Sequence, residues 1–168
     1  MANATITNLW SAAQGITLTL ASLATSSNVG RESSMITSSG YVDGALHLKF
    51  GIGVGGNPTA DGIQIYLYRG TSTDGADLTD PATGTDAGIT FNYAASPGTT
   101  TNMTYVGRVN VVATATHYDF HMLSIAQAFG GNMPISWGVV VNNAGGSTFT
   151  GTEGAFTKEW LPMTVSAG

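Results

Sequence analysis

Between turns rich in glycine and threonine, apolar residues of this chain recur at every second position. The clearest run is residues 45–54. Leu46, Leu48, Phe50, Ile52 and Val54 share one face and His47, Lys49, Gly51 and Gly53 the other, the pattern of a half-buried strand. Residues 62–69 predict the next strand, with Ile63, Ile65 and Leu67 on one face and Gln64, Tyr66 and Tyr68 on the other. Both faces carry bulk, so this strand is expected to be covered on two sides. Residues 103–112 alternate again, with Tyr105, Val109 and Val111 in phase, and after Thr116 the apolar phase flips to Tyr118, Phe120 and Met122. Such a flip marks a turn or bulge, and a hairpin bending near residues 113–116 is the expectation.

Residues 124–129 predict a short helix, capped by Ser124 and closed by Gly130-Gly131. Residues 135–141 and 155–165 supply two more strands, and Pro162 marks the second as an edge or bulged strand. Upstream, Ile16, Leu18 and Leu20 fall in phase. Seven or eight strands with almost no helix predict an all-β antiparallel sandwich, with the jelly roll as the expected variety. The most polar stretch, residues 70–88, falls between strands, so residues 1–168 are expected to form one domain. Within it, residues 1–27 are either a first strand or an arm that lies across a partner.

Composition narrows the partners. Charged residues are 9% of the chain, against about 25% in an ordinary soluble domain. The five basic residues are scattered and the net charge is −5, which argues against nucleic acid as a partner. A surface so poor in charge suits either self-assembly or simple solvation by serine, threonine and asparagine. With no cysteine, disulfides and thiolate chemistry are excluded. No stretch is apolar for the roughly 20 residues of a membrane helix, so no membrane partner is expected. Residues 1–30 also lack the basic and apolar regions of a secretory signal.

Four patterns suggest chemistry. Gly51, Gly53 and Gly56 spell G-x-G-x-x-G after a strand, but the next six residues lead straight into another strand. A dinucleotide site needs a helix there to hold the pyrophosphate, so no cofactor is expected. His117, Asp119 and His121 share a strand face, as the ligands of a metal site would. Neighbours on one face of a strand are about 7 Å apart, too far for all three to close on one ion, so a plain polar row without stoichiometric zinc or iron is expected. Asp74, Asp77, Asp80 and Asp86 lie in the polar loop without the spacing of a calcium-binding loop, and a solvated acidic loop is the simpler reading. Asp43, Glu153 and Glu159 would make a glycosidase only if folding brought two of them together, and no G-x-S-x-G elbow occurs. Trp137 and Trp160 fall inside predicted strands and read as core or interface residues; with Trp10 they leave a carbohydrate-binding module as an alternative. No catalytic, cofactor-binding or metal residue is assigned.

Several segments in order carry a resemblance: LASLA (residues 20–24), GRES (30–33), YVDGALHLKFGIG (41–53), IQIYLYRGTSTDG (63–75) and HYDFHMLSIAQAFGGNMPISWGVVVNNAGG (117–146). Together they resemble a group of small tailed-phage virion proteins encoded among the head and tail structural genes. The best-matching piece, residues 124–139, follows S-[IV]-A-x-[AL]-F-G-G-x-[LM]-P-x-x-W-G-[LV]; the match is weakest over residues 71–102. The resemblance implies a jelly-roll virion component made in the host cytoplasm. Its expected role is a decoration (cement) protein on the outer head surface, a symmetric homo-oligomer such as a trimer that binds the major capsid protein and does no chemistry. The alternative is a tail- or fibre-associated module that binds host glycans.

Overall fold

The alternating segments become strands. The computed structural model describes residues 6–70, 82–90 and 103–167. In chain order the strands are β1 (Ile6–Trp10), β2 (Gln14–Gly15), β3 (Val29–Glu32), β4 (Ile36–Thr37), β5 (Asp43–Gly51), β6 (Gly62–Gly70), β7 (Gly88–Thr90), β8 (Met103–Val109) and β9 (His117–Met122). The short helix α1 (Ile125–Ala128) then precedes β10 (Ser136–Ala144) and β11 (Thr157–Ala167). One sheet runs β1–β11–β5–β9, with β2 beside β1 on the same edge of β11; the other runs β7–β3–β10–β6–β8, with β4 on β10. Every pairing is antiparallel. β3 with β10, β5 with β9 and β6 with β8 pair in nested order and alternate between the sheets, which is the wrapping of a jelly roll. The fold is therefore the all-β antiparallel sandwich that the alternation predicts.

Between the sheets, Leu46, Leu48 and Phe50 of β5 meet Ile63, Ile65 and Leu67 of β6 and Val139 and Val141 of β10. Trp137 and Trp160 are both buried and stand edge to face across the layers, 5.4 Å apart. Burying each aliphatic or phenylalanine side chain of this core contributes about 1.5–3 kcal/mol. β6 is covered on two sides, as its sequence predicts: Tyr68 on its outer face packs with Val140, Ile89, Met103 and Ala82 in a second cluster. All nine residues of β10 are buried for the same reason.

Ile16, Leu18 and Leu20 reach the core as their phase predicts, but by a strap rather than a ladder strand. The Ile16 amide donates to the Lys158 carbonyl of one sheet, and the Thr17 carbonyl accepts from Ser34, beside β3 of the other. The strap thus spans the gap between the sheets. Its backbone is satisfied by side chains: Glu153 accepts from the Leu20 and Ala21 amides, and Lys158 donates to the Leu18 carbonyl while pairing with Glu153.

Three local expectations are corrected. Residues 113–116 do not bend a hairpin, because β8 belongs to one sheet and β9 to the other; the phase flip records the chain changing sheets. Tyr105 and Val109 do not share a face. A bulge shifts the register between Ile65 and Tyr66, so Val109 enters the core while Tyr105 faces out against Tyr66. β11 is not an edge strand, since β5 lines one side and β1 and β2 the other; Pro162 sits opposite the break between β1 and β2, where no ladder donor is needed. Gly51 and Gly53, on the face opposite the apolar set, are closely covered. A Cβ on Gly51 would meet Thr150 and Ala155, and one on Gly53 the Thr148 carbonyl, so the glycines let residues 148–155 lie against the strand.

Residues 1–27 combine both readings offered for them. β1 is a strand, but it pairs with β11 only over residues 163–167, of which Met163 alone lies opposite β5. Its described side chains are all exposed, Leu9 at 49% and Trp10 at 55%, and Val165 beside them is 45% exposed. The pair forms a two-stranded ribbon extending past β5.

Candidate functional site

The densest group of functional side chains lies on the outward face of the sheet that carries β11, β5 and β9. Alternation points His47 outward from β5, Asp119 and His121 outward from β9, and Glu159 outward from β11. Register does the rest: His47 lies opposite His121 on one side and opposite Glu159 on the other. The His47 ring is half-buried between these neighbours. Its Nδ1 is 3.0 Å from a Glu159 oxygen and its Nε2 is 3.1 Å from Asp119 Oδ1. The His121 ring stacks on it, with centroids 4.3 Å apart and planes 12° from parallel. Lys49, opposite Asp119 in the register, is the basic residue on the same face.

Ionised carboxylates only accept, so both contacts are hydrogen bonds only when both His47 nitrogens carry protons and the ring is cationic. Burial disfavours that charge, but the hydrogen bonds the ring donates to Glu159 and Asp119 and the charges of both outweigh it, and the His47 pKa is raised above its ordinary value. A neutral ring would turn a lone pair toward one of the two carboxylates. The arrangement therefore favours a positive charge on the ring between the two carboxylates. One ligand atom each from His47, Asp119 and His121 lie within 4.8 Å of one another.

Residues singled out in the sequence are distributed as follows. His117, Asp119 and His121 do form the expected exposed row, with Tyr118, Phe120 and Met122 on the opposite face. His117 does not join the cluster; it lines a separate depression with Gly51, Ala115, Thr150 and Ala155. Asp43, Glu153 and Glu159 are engaged with different partners. Asp43 accepts from the Ala126 amide at the start of α1, Glu153 holds the strap, and Glu159 faces His47. Asp86 is pinned by Thr19 and by Arg31, while Asp74, Asp77 and Asp80 lie outside the described residues. Trp137 and Trp160 are core residues, and Trp10 is exposed on the ribbon. Gly56 leads through residues 57–61 into β6, with no helix to receive a phosphate.

His47 and Glu159 were the members that sequence reasoning could not connect. Their outward phase is legible, but their meeting depends on which strands pair and in what register.

No protein-family model, no curated protein and no solved structure matches this chain.

Proposed function

We propose that the chain is a structural protein of a bacteriophage virion, acting as a decoration protein that binds the major capsid protein on the outer head surface and stabilises the shell. The observation that carries this reading is the ribbon of β1 and the end of β11. It extends the sandwich, presents Leu9, Trp10 and Val165 to solvent, and leaves the outer edge of β1 without a partner strand among the described residues. Large exposed apolar groups on a strand edge suit docking across another protein, where a buried tryptophan commonly anchors the contact. The resemblance of residues 124–139 to phage virion proteins supplies the kind of partner, and the low charge suits a surface largely covered by assembly. A symmetric homo-oligomer, such as a trimer, would present several ribbons to the lattice at once.

Quantitative mass spectrometry of purified virions tests the reading. The expected copy number is a simple fraction of that of the major capsid protein, and Trp10→Ala should lower it without unfolding the sandwich. Absence from the virion would overturn the proposal.

A second reading, a tail-associated glycan-binding module, is favoured by one feature. Tyr66 and Tyr105 stand together on the outer face of the other sheet, beside Gln64, Asp61 and Arg108 in a shallow depression. Aromatic rings flanked by polar groups suit a sugar. A handful of copies per virion, with glycan affinity lost in Tyr105→Ala, would favour this reading over decoration.

A further inference from the structure

We propose that His47, Asp119 and His121 bind one divalent transition-metal ion of the zinc type on the outward face of the sandwich, with Glu159 holding His47 in the ligating orientation. The inference does not depend on the virion role.

Geometry on a single strand forbids such a site, and pairing across strands permits it. Directly opposite residues on adjacent antiparallel strands have Cβ atoms about 4.5–5.5 Å apart, against about 7 Å between neighbours on one face of a strand. His47 and His121 are such a pair, and Asp119 is diagonal to His47. Ligand atoms at about 2.0–2.2 Å from one zinc ion lie roughly 3.4 Å apart in a tetrahedron. Starting within 4.8 Å, the three atoms close that remainder by side-chain rotation. The movement falls on Asp119 and His121, which are exposed; His121 must splay from its stacked position, and its ring torsion is a soft one. His47 need not move far, because its Nε2 is already 3.1 Å from the carboxylate.

Glu159 is the second, independent element. Metal-bound histidines usually donate their other ring N–H to a carboxylate, which fixes the tautomer and raises the ligand's basicity. Glu159 stands 3.0 Å from His47 Nδ1, on the side away from the Asp119 contact. A proton on Nδ1 leaves the Nε2 lone pair directed toward Asp119. A cation there neutralises two carboxylates and replaces the proton that a metal-free ring needs.

The donor set selects the metal. Two imidazole nitrogens and one carboxylate suit zinc and its transition-metal neighbours, whereas calcium and magnesium favour sites built wholly of oxygen. Exposure of Asp119 and His121 leaves the remaining coordination positions open to water.

Calorimetric titration of zinc chloride into chelator-stripped protein tests the proposal, alongside the visible spectrum after cobalt(II) loading. One ion per chain is expected. Binding should fall at least tenfold in His121→Ala and in Asp119→Asn, both exposed positions whose change leaves the core intact. Glu159→Gln should weaken binding by about 10- to 100-fold. His117→Ala, on the same strand face but outside the group, should bind as the parent does. Lack of saturable one-to-one binding, or equal loss in His117→Ala and His121→Ala, would overturn the assignment.

Discussion

Asp86 accepts hydrogen bonds from both the amide and the hydroxyl of Thr19, each at 2.8 Å, although the two residues are 67 positions apart. Arg31 pairs with the same carboxylate at 3.1 Å. One side chain thus fixes the strap to the segment that ends in β7. Asp86 also has a φ of +51°, a conformation that aspartate and asparagine tolerate better than alanine. Asp86→Asn, which keeps that tolerance and removes the charge, should cost about 1.5–3 kcal/mol, the range for hydrogen bonds to charged groups. Asp86→Ala should cost more. Urea unfolding of the two variants checks the order; equal stabilities would show that the backbone conformation adds nothing.

Acid should loosen the same region. Burial pushes the Asp86 carboxyl up, but the Thr19 and Arg31 contacts outweigh it and hold it below the usual range. Burial likewise opposes ionisation of Glu153, and hydrogen bonds from Lys158 and the strap amides, with the Lys158 charge, outweigh that. A carboxyl whose folded pKa is depressed contributes stability that is fully present above its unfolded value, about 3.9 for Asp and 4.3 for Glu. That contribution is lost as pH falls through the folded value. Thermal unfolding should therefore be insensitive to these groups above about pH 5 and weaken below about pH 4. The double variant Asp86→Asn, Glu153→Gln should show a shallower acid slope than the parent, and parallel curves would refute the assignment.

Tyr68 and Gly138 face each other across β6 and β10, and a Cβ built on Gly138 would overlap the tyrosine ring. Gly138→Ala should destabilise by about 1–3 kcal/mol through overpacking. Tyr68→Leu, though costly alone, should recover part of that loss in the double variant, giving a coupling energy that a four-member cycle measures. Tyr68→Phe removes only the buried hydroxyl's 2.7 Å bond to the Ser33 carbonyl and should cost about 1 kcal/mol. A Gly138→Ala protein as stable as the parent would mean that the sheets yield at this point.

The start of α1 has two acceptors from outside the helix. Ser124 Oγ accepts from the Gln127 amide at 3.3 Å and Asp43 Oδ1 from the Ala126 amide at 2.9 Å. A helix of four residues has little stability of its own, so these acceptors should govern its protection. Ser124→Ala should cost about 1 kcal/mol. Asp43→Ala should release the helix further, seen as faster hydrogen exchange at residues 125–128 than in Ser124→Ala. Unchanged exchange in both would mean that packing of Ile125 alone holds the turn.

Much of this fold was legible because a strand buried on one face writes its phase directly into the chain. The inward set Leu46, Leu48 and Phe50, the two-sided bulk of β6 and the Ser124 cap all followed from local rules. What failed were features set by distant partners. Val109 and Tyr105 look in phase until a bulge separates them, and the flip near residue 115 looks like a hairpin until the two strands enter different sheets. The same limit hid the cluster at His47. His121 and Glu159 lie 74 and 112 positions from it, and only the register of β9 and β11 on β5 brings them to one ring.

β5 is flanked by β9 and β11, and β11 is also the strand that receives β1 and β2. A ribosome therefore releases β1, β2 and β5 long before it has made the strand that all three require. Until residues 157–167 emerge, one sheet has no centre, and apolar faces such as that of β5 stay exposed to neighbouring nascent chains. Completion of this sheet therefore waits on long-range closure, a topology that generally slows folding and leaves unfinished chains open to association.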